Sequence, residues 1–324
     1  MKNSEKILVC GGAGYIGSHQ VAELLDAGYE VVVFDSLEKG YREAVLPDAR
    51  LYVGDLRNPD SLNKVFSQNK IDAVMHFAAY SLVGESVVMP DRYYDNNVCG
   101  TLCLLDAMRR HDVERIVFSS TAAVYGEPEK VPISESQKKD PTNPYGETKL
   151  AVEKMLKWQS GAYGLKYTAL RYFNVAGAHK SGKMGEAHDP ETHLIPVILK
   201  NARAGKKIQI FGNDYDTPDG TCIRDYIHVV DLCAAHILAL EKLGRSNGDT
   251  YNLGYGHGFS NMQIVEAARK VTGVPIEVEM AARRPGDPSI LIASPDKAVR
   301  ELGFAPQYDC LETIIESAWN FRGY

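Results

Sequence analysis

The chain has 324 residues, 44% of them hydrophobic and 24% charged, with a formal net charge of −6. That length exceeds the usual single-domain size and buries a large core, and the composition is that of an ordinary soluble globular protein. The negative balance and the lack of a basic run exclude a nucleic-acid footprint, and no segment approaches the ~18 uninterrupted apolar residues of a membrane span. The six cysteines (10, 99, 103, 222, 233 and 310) form no CxxC, and the nine histidines form no HExxH, so no metal is expected. Met-Lys-Asn-Ser-Glu-Lys leads straight towards the first strand without an apolar signal segment, which makes the cytoplasm the expected location.

Lys6 to Cys10 reads as an apolar strand feeding Gly11-Gly-Ala-Gly14-Tyr-Ile-Gly17 and an apolar helix through Ala27. Strand, glycine loop and helix in that order are the context that gives a glycine motif meaning. Gly11 allows the tight turn, Gly14 lets backbone approach a pyrophosphate, and Gly17 lets helix and strand pack closely. The pyrophosphate then meets the free N–H groups of the helix N-terminus. The spacing is GxxGxxG, one residue longer than GxGxxG. The second strand, from Glu30 to Phe34, ends at Asp35, where an acid binds ribose hydroxyls and repels a 2′-phosphate. NAD is therefore expected over NADP. The bland alternative is a glycine turn in a non-binding α/β protein.

The alternation continues. Strands are expected at 50–54 (ending at Asp55), 73–77 (followed by Ala78-Ala79), 115–119 (running into Ser120-Thr121) and 166–171. Helices are expected at 61–68, 90–110 and 145–161. Apolar strands alternating with helices imply a doubly wound parallel α/β sheet of Rossmann type, which binds ligands outside the carboxyl ends of its strands. Asp35, Asp55, Phe77-Ala78-Ala79, Thr121 and Asn174 all follow strands and should converge on one edge. Asn143-Pro144 reads as an N-cap with proline at the first helical position. It opens a helix in which Tyr145 and Lys149, at i and i+4, share a face. A cation there favours the phenolate, so the pair reads as a base that takes a proton from an alcohol. Moving that phenol from about 10 to about 7 needs ~4 kcal/mol. Alone, Tyr145 could be a half-buried aromatic, Lys149 a solvated helix residue and Thr121 a strand-end cap. Their combination with a nucleotide fold is what is specific.

Beyond Gly177 the pattern loosens into Gly-, Pro- and Asp-rich loops at 179–193 and 212–222, with helices at 229–242 and 261–272. The expected division is an NAD-binding domain over 1–177 and a smaller mixed α/β substrate domain, mainly 178–324. Segments around 226–254 (Tyr226 to His228, Thr250 to Leu253) are expected to return to the main sheet.

Five stretches carry a resemblance: Ser119-Ser-Thr-Ala-Ala-Val-Tyr-Gly126, Asn143-Pro-Tyr-Gly-Glu-Thr-Lys149, Arg171-Tyr-Phe-Asn-Val-Ala-Gly-Ala-His179, Ile210-Phe-Gly-Asn-Asp-Tyr215 and Gly220-Thr-Cys-Ile-Arg-Asp-Tyr-Ile-His228. With the glycine loop and the Arg284–Asp287 region, they resemble the extended short-chain dehydrogenases/reductases end to end, in their UDP-glucose (UDP-galactose) 4-epimerase branch. The resemblance implies tightly held NAD, reduced and reoxidised within one turnover, a UDP-hexose substrate and a homodimer. It places cofactor contacts on Tyr15, Ile16, Asp35, Ser36, Asp55, Leu56, Phe77, Ala78, Ala79, Asn96, Tyr145, Lys149 and Phe173. It places substrate contacts on Thr121, Asn174, Leu194, Phe211, Arg224, Arg284 and Asp287, with Leu291 gating the pocket for the sugar 2-substituent. Guanidinium forks suit a diphosphate, although Arg224 could instead pair with neighbouring carboxylates. Thr121 stands for a common serine, Cys10 for a threonine, Ser81 for a lysine near the cofactor and His193 for an asparagine by the substrate. Leu291 is neither of the usual gate residues, so N-acetylated sugars stay open.

Three rivals share features. A nucleotide-sugar 4,6-dehydratase needs an Asp-Glu pair after the threonine, where this chain has Ala122-Ala123. A UDP-glucuronate 4-epimerase must hold a C6 carboxylate, and the motifs do not favour it. A non-enzymatic NAD-sensing regulator would have no reason to keep hydroxyl, tyrosine and lysine together.

Overall fold

The computed structural model describes residues 5–243, 248–284 and 287–323. Its centre is a seven-stranded sheet containing β1 (Lys6–Cys10), β2 (Glu30–Asp35), β3 (Arg50–Val53), β4 (Ala73–His76), β5 (Arg115–Thr121), β6 (Lys166–Tyr172) and the strand Gly248–Leu253. All neighbours pair in parallel, in the order β3-β2-β1-β4-β5-β6 and then Gly248–Leu253.

Side chains alternate along each strand, so the sheet is buried on both faces. Ile7, Val9, Val31 and Val33 pack with Val21, Leu24, Leu232 and Ala239, from the helices Tyr15–Asp26 and Val229–Lys242. Leu8, Val32, Val74 and Phe118 pack with Leu62, Phe66, Leu104 and Leu156, from the helices Pro59–Gln68, Gly100–Arg110 and Pro144–Tyr163. A separate core gathers Ile195, Leu199, Ile208, Ile264 and Ile314 from the C-terminal part. The fold class is thus as expected.

Three details differ from the sequence reading. Tyr226–His228 does not return to the main sheet but pairs with Asn174–Ala176, whereas Gly248–Leu253 does add the seventh strand beside β6. The helix expected from Ser61 starts at Pro59, because Asn58 caps it by accepting from the Asp60 and Ser61 amides. The 90–110 helix contains a π-helical stretch, Tyr94–Cys99, and is preceded by an unexpected short helix, Val83–Val88. Such wide turns inside an α-helix recur at functional sites, and this one carries Asn96.

Candidate active site

β1 leads to β2 on one side and lies beside β4 on the other, so the strand order reverses at β1 and opens a crevice there. The glycine loop fills its floor. Gly11 has φ +81°, and a Cβ on it would lie 2.6 Å from the Ala78 amide nitrogen. A Cβ on Gly17 would run into the Gly11 carbonyl oxygen. The helix that follows has Gly14 as its N-cap, with no side-chain cap and no acid in its first turn. Its free N–H groups therefore suit an anion. Asp35 is buried, and its two oxygens accept from the Ala13 amide (2.9 Å) and the Leu37 amide (2.8 Å). Each oxygen keeps lone pairs for ribose hydroxyls. Burial raises its pKa against those two hydrogen bonds. Phe77 and Ala78 follow β4, their amides donating to the Cys10 carbonyl, and the Phe77 ring packs on His236. Asp55 is clasped by Arg57, which also reaches Asp95 and holds the Asp55 carboxyl below its usual range. These residues fit a dinucleotide whose pyrophosphate sits on the glycine loop. Gly17→Ala tests the fit. Alanine favours a helix by ~1 kcal/mol, but here its methyl meets backbone that cannot yield. We expect purified Gly17→Ala to carry at least about tenfold less NAD, read by assay of the released cofactor.

The catalytic helix, Pro144–Tyr163, begins as expected: the Asn143 side chain accepts from the Gly146 amide at 2.9 Å, with Pro144 at the first position. Tyr145 lies in a buried aromatic group with Tyr80 and Tyr93. Thr121, at the carboxyl end of β5, is the polar neighbour that favours its phenolate. Thr121 also plays the bland role, its Oγ1 accepting from the Ala123 amide at 3.2 Å. Lys149 is buried, its Nζ donating to the Ser119 carbonyl at 2.8 Å and lying 6.0 Å from the Tyr145 ring centroid. The expected depression of the phenol pKa is not a property of the protein alone. Burial raises the Tyr145 pKa, opposed by Thr121. Burial also brings Lys149 down to about 7, opposed by Glu153.

Glu153 lies one turn beyond Lys149 and anchors a polar network that sequence reading missed. Ser120 Oγ donates to it, and Arg171 grips both its oxygens. Arg171 continues to Tyr125, whose hydroxyl donates to Asn252. The Arg171–Glu153 pair is almost fully buried, with side-chain exposures of 6% and 8%. The network ties the catalytic helix to β6 and to the last strand. Glu153→Gln leaves a buried guanidinium without its counter-charge, and we expect a loss of ~3–5 kcal/mol in urea unfolding.

The other residues assigned to substrate lie outside the seven-stranded sheet. Asn174 starts its short strand beside Tyr226, and Leu194 opens the helix Leu194–Ala204. Arg224 and Leu291 are register partners on adjacent parallel strands. Arg224 does pair with a carboxylate, but with Asp287, itself one of the expected substrate residues. The Arg284 guanidinium stacks 4.1 Å over the Phe211 ring. Leu291 packs with Val124, Leu150 and Phe173.

A family model described as "NAD dependent epimerase/dehydratase family" matches residues 7–254. The chain belongs to the NAD-dependent epimerase/dehydratase family. Among the relatives of this NAD-dependent epimerase/dehydratase is a UDP-glucose 4-epimerase of Lacticaseibacillus casei, 56% identical over 98% of this chain and 96% of that protein. A crystal structure of UDP-glucose 4-epimerase from Brucella ovis in complex with NAD matches with TM-score 0.95 and 47% identity, over 98% of both chains. One from Bifidobacterium longum in complex with NAD+ and UDP matches with TM-score 0.92 and 40% identity, over 98% of this chain and 97% of that one.

Proposed function

We propose that this protein interconverts UDP-glucose and UDP-galactose by transient oxidation at the sugar C4. The observation that carries the reading is the buried Thr121–Tyr145–Lys149 group at the carboxyl end of β5, the same edge of the sheet from which the glycine loop leaves β1. NAD, when bound, accepts a hydride from C4 and gives it back. Tyr145 removes the proton of the 4-hydroxyl as the hydride leaves and returns it when the reaction closes. Thr121 bridges phenol and substrate oxygen, steadying the charge that develops there. The buried Lys149 ammonium supplies positive charge behind the phenol and reaches the nicotinamide ribose. Tyr15, Ile16, Ser36, Asp55, Leu56, Phe77, Ala78, Ala79, Asn96 and Phe173 complete the cofactor contacts, with Asp35 on the ribose. Arg224 and Arg284 face the diphosphate, with Asp287 orienting Arg224. Asn174, Leu194, Phe211 and Leu291 line the nucleotide and sugar. Ala122-Ala123 leave no acid or base to expel a C6 hydroxyl, which disfavours dehydration.

The two-part division at residue 177 belongs to this reading, with the cleft between the parts holding the sugar. A cytoplasmic homodimer belongs to it as well. The helical run 90–110 and the catalytic helix pack together and expose Tyr94 (44%), Leu102 (49%), Trp158 (77%) and Tyr163 (60%), an apolar surface that a second copy would cover. No described helix is long and apolar enough to cross a membrane. The decisive experiment incubates purified protein with UDP-galactose and no added NAD. UDP-glucose should form without net NADH release. A requirement for added NAD, or accumulation of NADH, would overturn the reading.

A further inference from the structure

Glu186, His188, Glu191 and His193 form a cluster that the proposed reaction does not use. They lie on the loop that enters the helix Leu194–Ala204, with a bend at Asp189-Pro190 between two pairs of spacing Glu-x-His. One ligand atom from each residue lies within 4.8 Å of the other three. His188 Nδ1 is 3.0 Å from Glu186 and 3.7 Å from Glu191. His193 Nδ1 is 2.7 Å from Glu186 and 3.2 Å from Glu191. A tetrahedral ion with bonds of ~2.0–2.1 Å needs ligand atoms roughly 3.3 Å apart. The three contacts through Glu186 Oε1 and Glu191 Oε1 run from 2.7 to 3.2 Å, near that value, and the 3.7 Å contact of His188 is to the other Glu191 oxygen, Oε2.

The charge is also unusual. The two carboxylates have side-chain exposures of only 6% and 7%. Among the described residues no lysine or arginine pairs with either of them. Their counter-charges are the His188 and His193 imidazoles, and a bound metal ion would take over that compensation for the two buried carboxylates. Both imidazoles turn Nδ1 towards the carboxylates. Glu191 is oriented further by the Thr192 and His193 amides, each 2.8 Å from Oε1, the kind of outer support that fixes a metal-binding carboxylate.

We infer that Glu186, His188, Glu191 and His193 form a structural zinc site. Two imidazoles and two carboxylates with no gap in the set suit a closed four-coordinate Zn²⁺, whereas Mg²⁺ and Ca²⁺ prefer six or more oxygens. The position gives the ion a task. The Ala187 carbonyl accepts from Tyr41 Oη at 2.7 Å, and the Asp189 carbonyl accepts from Lys39 at 3.3 Å. The His188 ring meets Tyr15, on the glycine loop, edge-on at 6.2 Å. The loop therefore leans on the cofactor-binding elements and runs directly into Leu194. Zinc would brace the two sides of the cleft against each other.

The test is metal analysis of the purified holoprotein by mass spectrometry, followed by chelation and titration with Zn²⁺ or Mg²⁺. We expect about one zinc per chain, a fall in Tm when it is stripped, and recovery with Zn²⁺ but not Mg²⁺. In His188→Ala and in the isosteric Glu191→Gln, zinc content should drop at least about tenfold. Retained NAD shows that each variant is folded, so a failed alanine variant leaves the glutamine variant to decide. Failure of the wild-type protein to bind stoichiometric Zn²⁺ would overturn the site, as would full zinc binding by folded Glu191→Gln and His188→Ala. Neither readout depends on turnover, so the zinc site can fail while the epimerase reading stands.

Discussion

Tyr145→Phe is expected to lower kcat by about 10³-fold while the protein keeps its bound NAD. A positioned general base contributes about 10²–10⁴-fold, and the phenylalanine ring fills the same aromatic pocket beside Tyr80 and Tyr93. The cofactor floor formed by Gly11, Gly17 and Asp35 does not involve the phenol oxygen. The loss should therefore appear in kcat with NAD content unchanged. Thr121→Ala should act in the same direction and more weakly, because it removes one polar neighbour of Tyr145 and leaves the base in place. Turnover of Tyr145→Phe within tenfold of wild type would sink the assignment. Equal loss of NAD and turnover would make the residue a cofactor contact alone.

Much of this site was legible because its signals are local. Cys10, the three glycines and Asp35 span one strand–loop–helix–strand unit, whose chemistry follows from backbone geometry. Asn143, Pro144, Tyr145 and Lys149 lie within two turns of one helix, so N-cap, helix start and shared face could be read together. What escaped depends on packing across the chain. Tyr145 is buried by Tyr80 and Tyr93, more than 50 residues upstream, and that desolvation reverses the pKa direction expected from the lysine alone. Arg171 meets Glu153 across the helix–strand connection, and Asn252 joins from the last strand. Tyr226–His228 reads as a strand, but its hydrogen-bonding partner was not written in its own residues. The Glu-x-His-x-x-Glu-x-His spacing at 186–193 was present in the sequence. That spacing matches no helical or cysteine metal pattern, because the four residues lie on an irregular loop whose turn alone brings them together.

Lys149→Met is expected to abolish most activity and yet make the protein more stable. Folding carries the Lys149 pKa from its ordinary value of 10.5 down to about 7, chiefly through burial. Between those values the unfolded chain holds the proton and the folded protein releases it, so this residue makes stability rise with pH across the window. Below about pH 7 the full cost of the buried ammonium is present, and near pH 10.5 it vanishes. Methionine fills a similar volume without charge, and replacing buried charge by apolar groups commonly gains about 1–4 kcal/mol. The gain in Tm over wild type should therefore be largest at pH 6–7 and shrink steadily towards pH 9. Turnover should meanwhile fall by about 10²–10³-fold, the usual effect of removing one preorganised electrostatic group. Calorimetry across that pH range and an initial-rate assay read both sides. A Tm gain independent of pH would mean that the benefit comes from packing and not from the ammonium. A Tm loss at every pH would make the hydrogen bond to Ser119 worth more than the burial costs. The outcome we expect identifies Lys149 as a charge held in the core at a stability cost, because the phenol it serves is itself raised by burial and needs positive charge beside it.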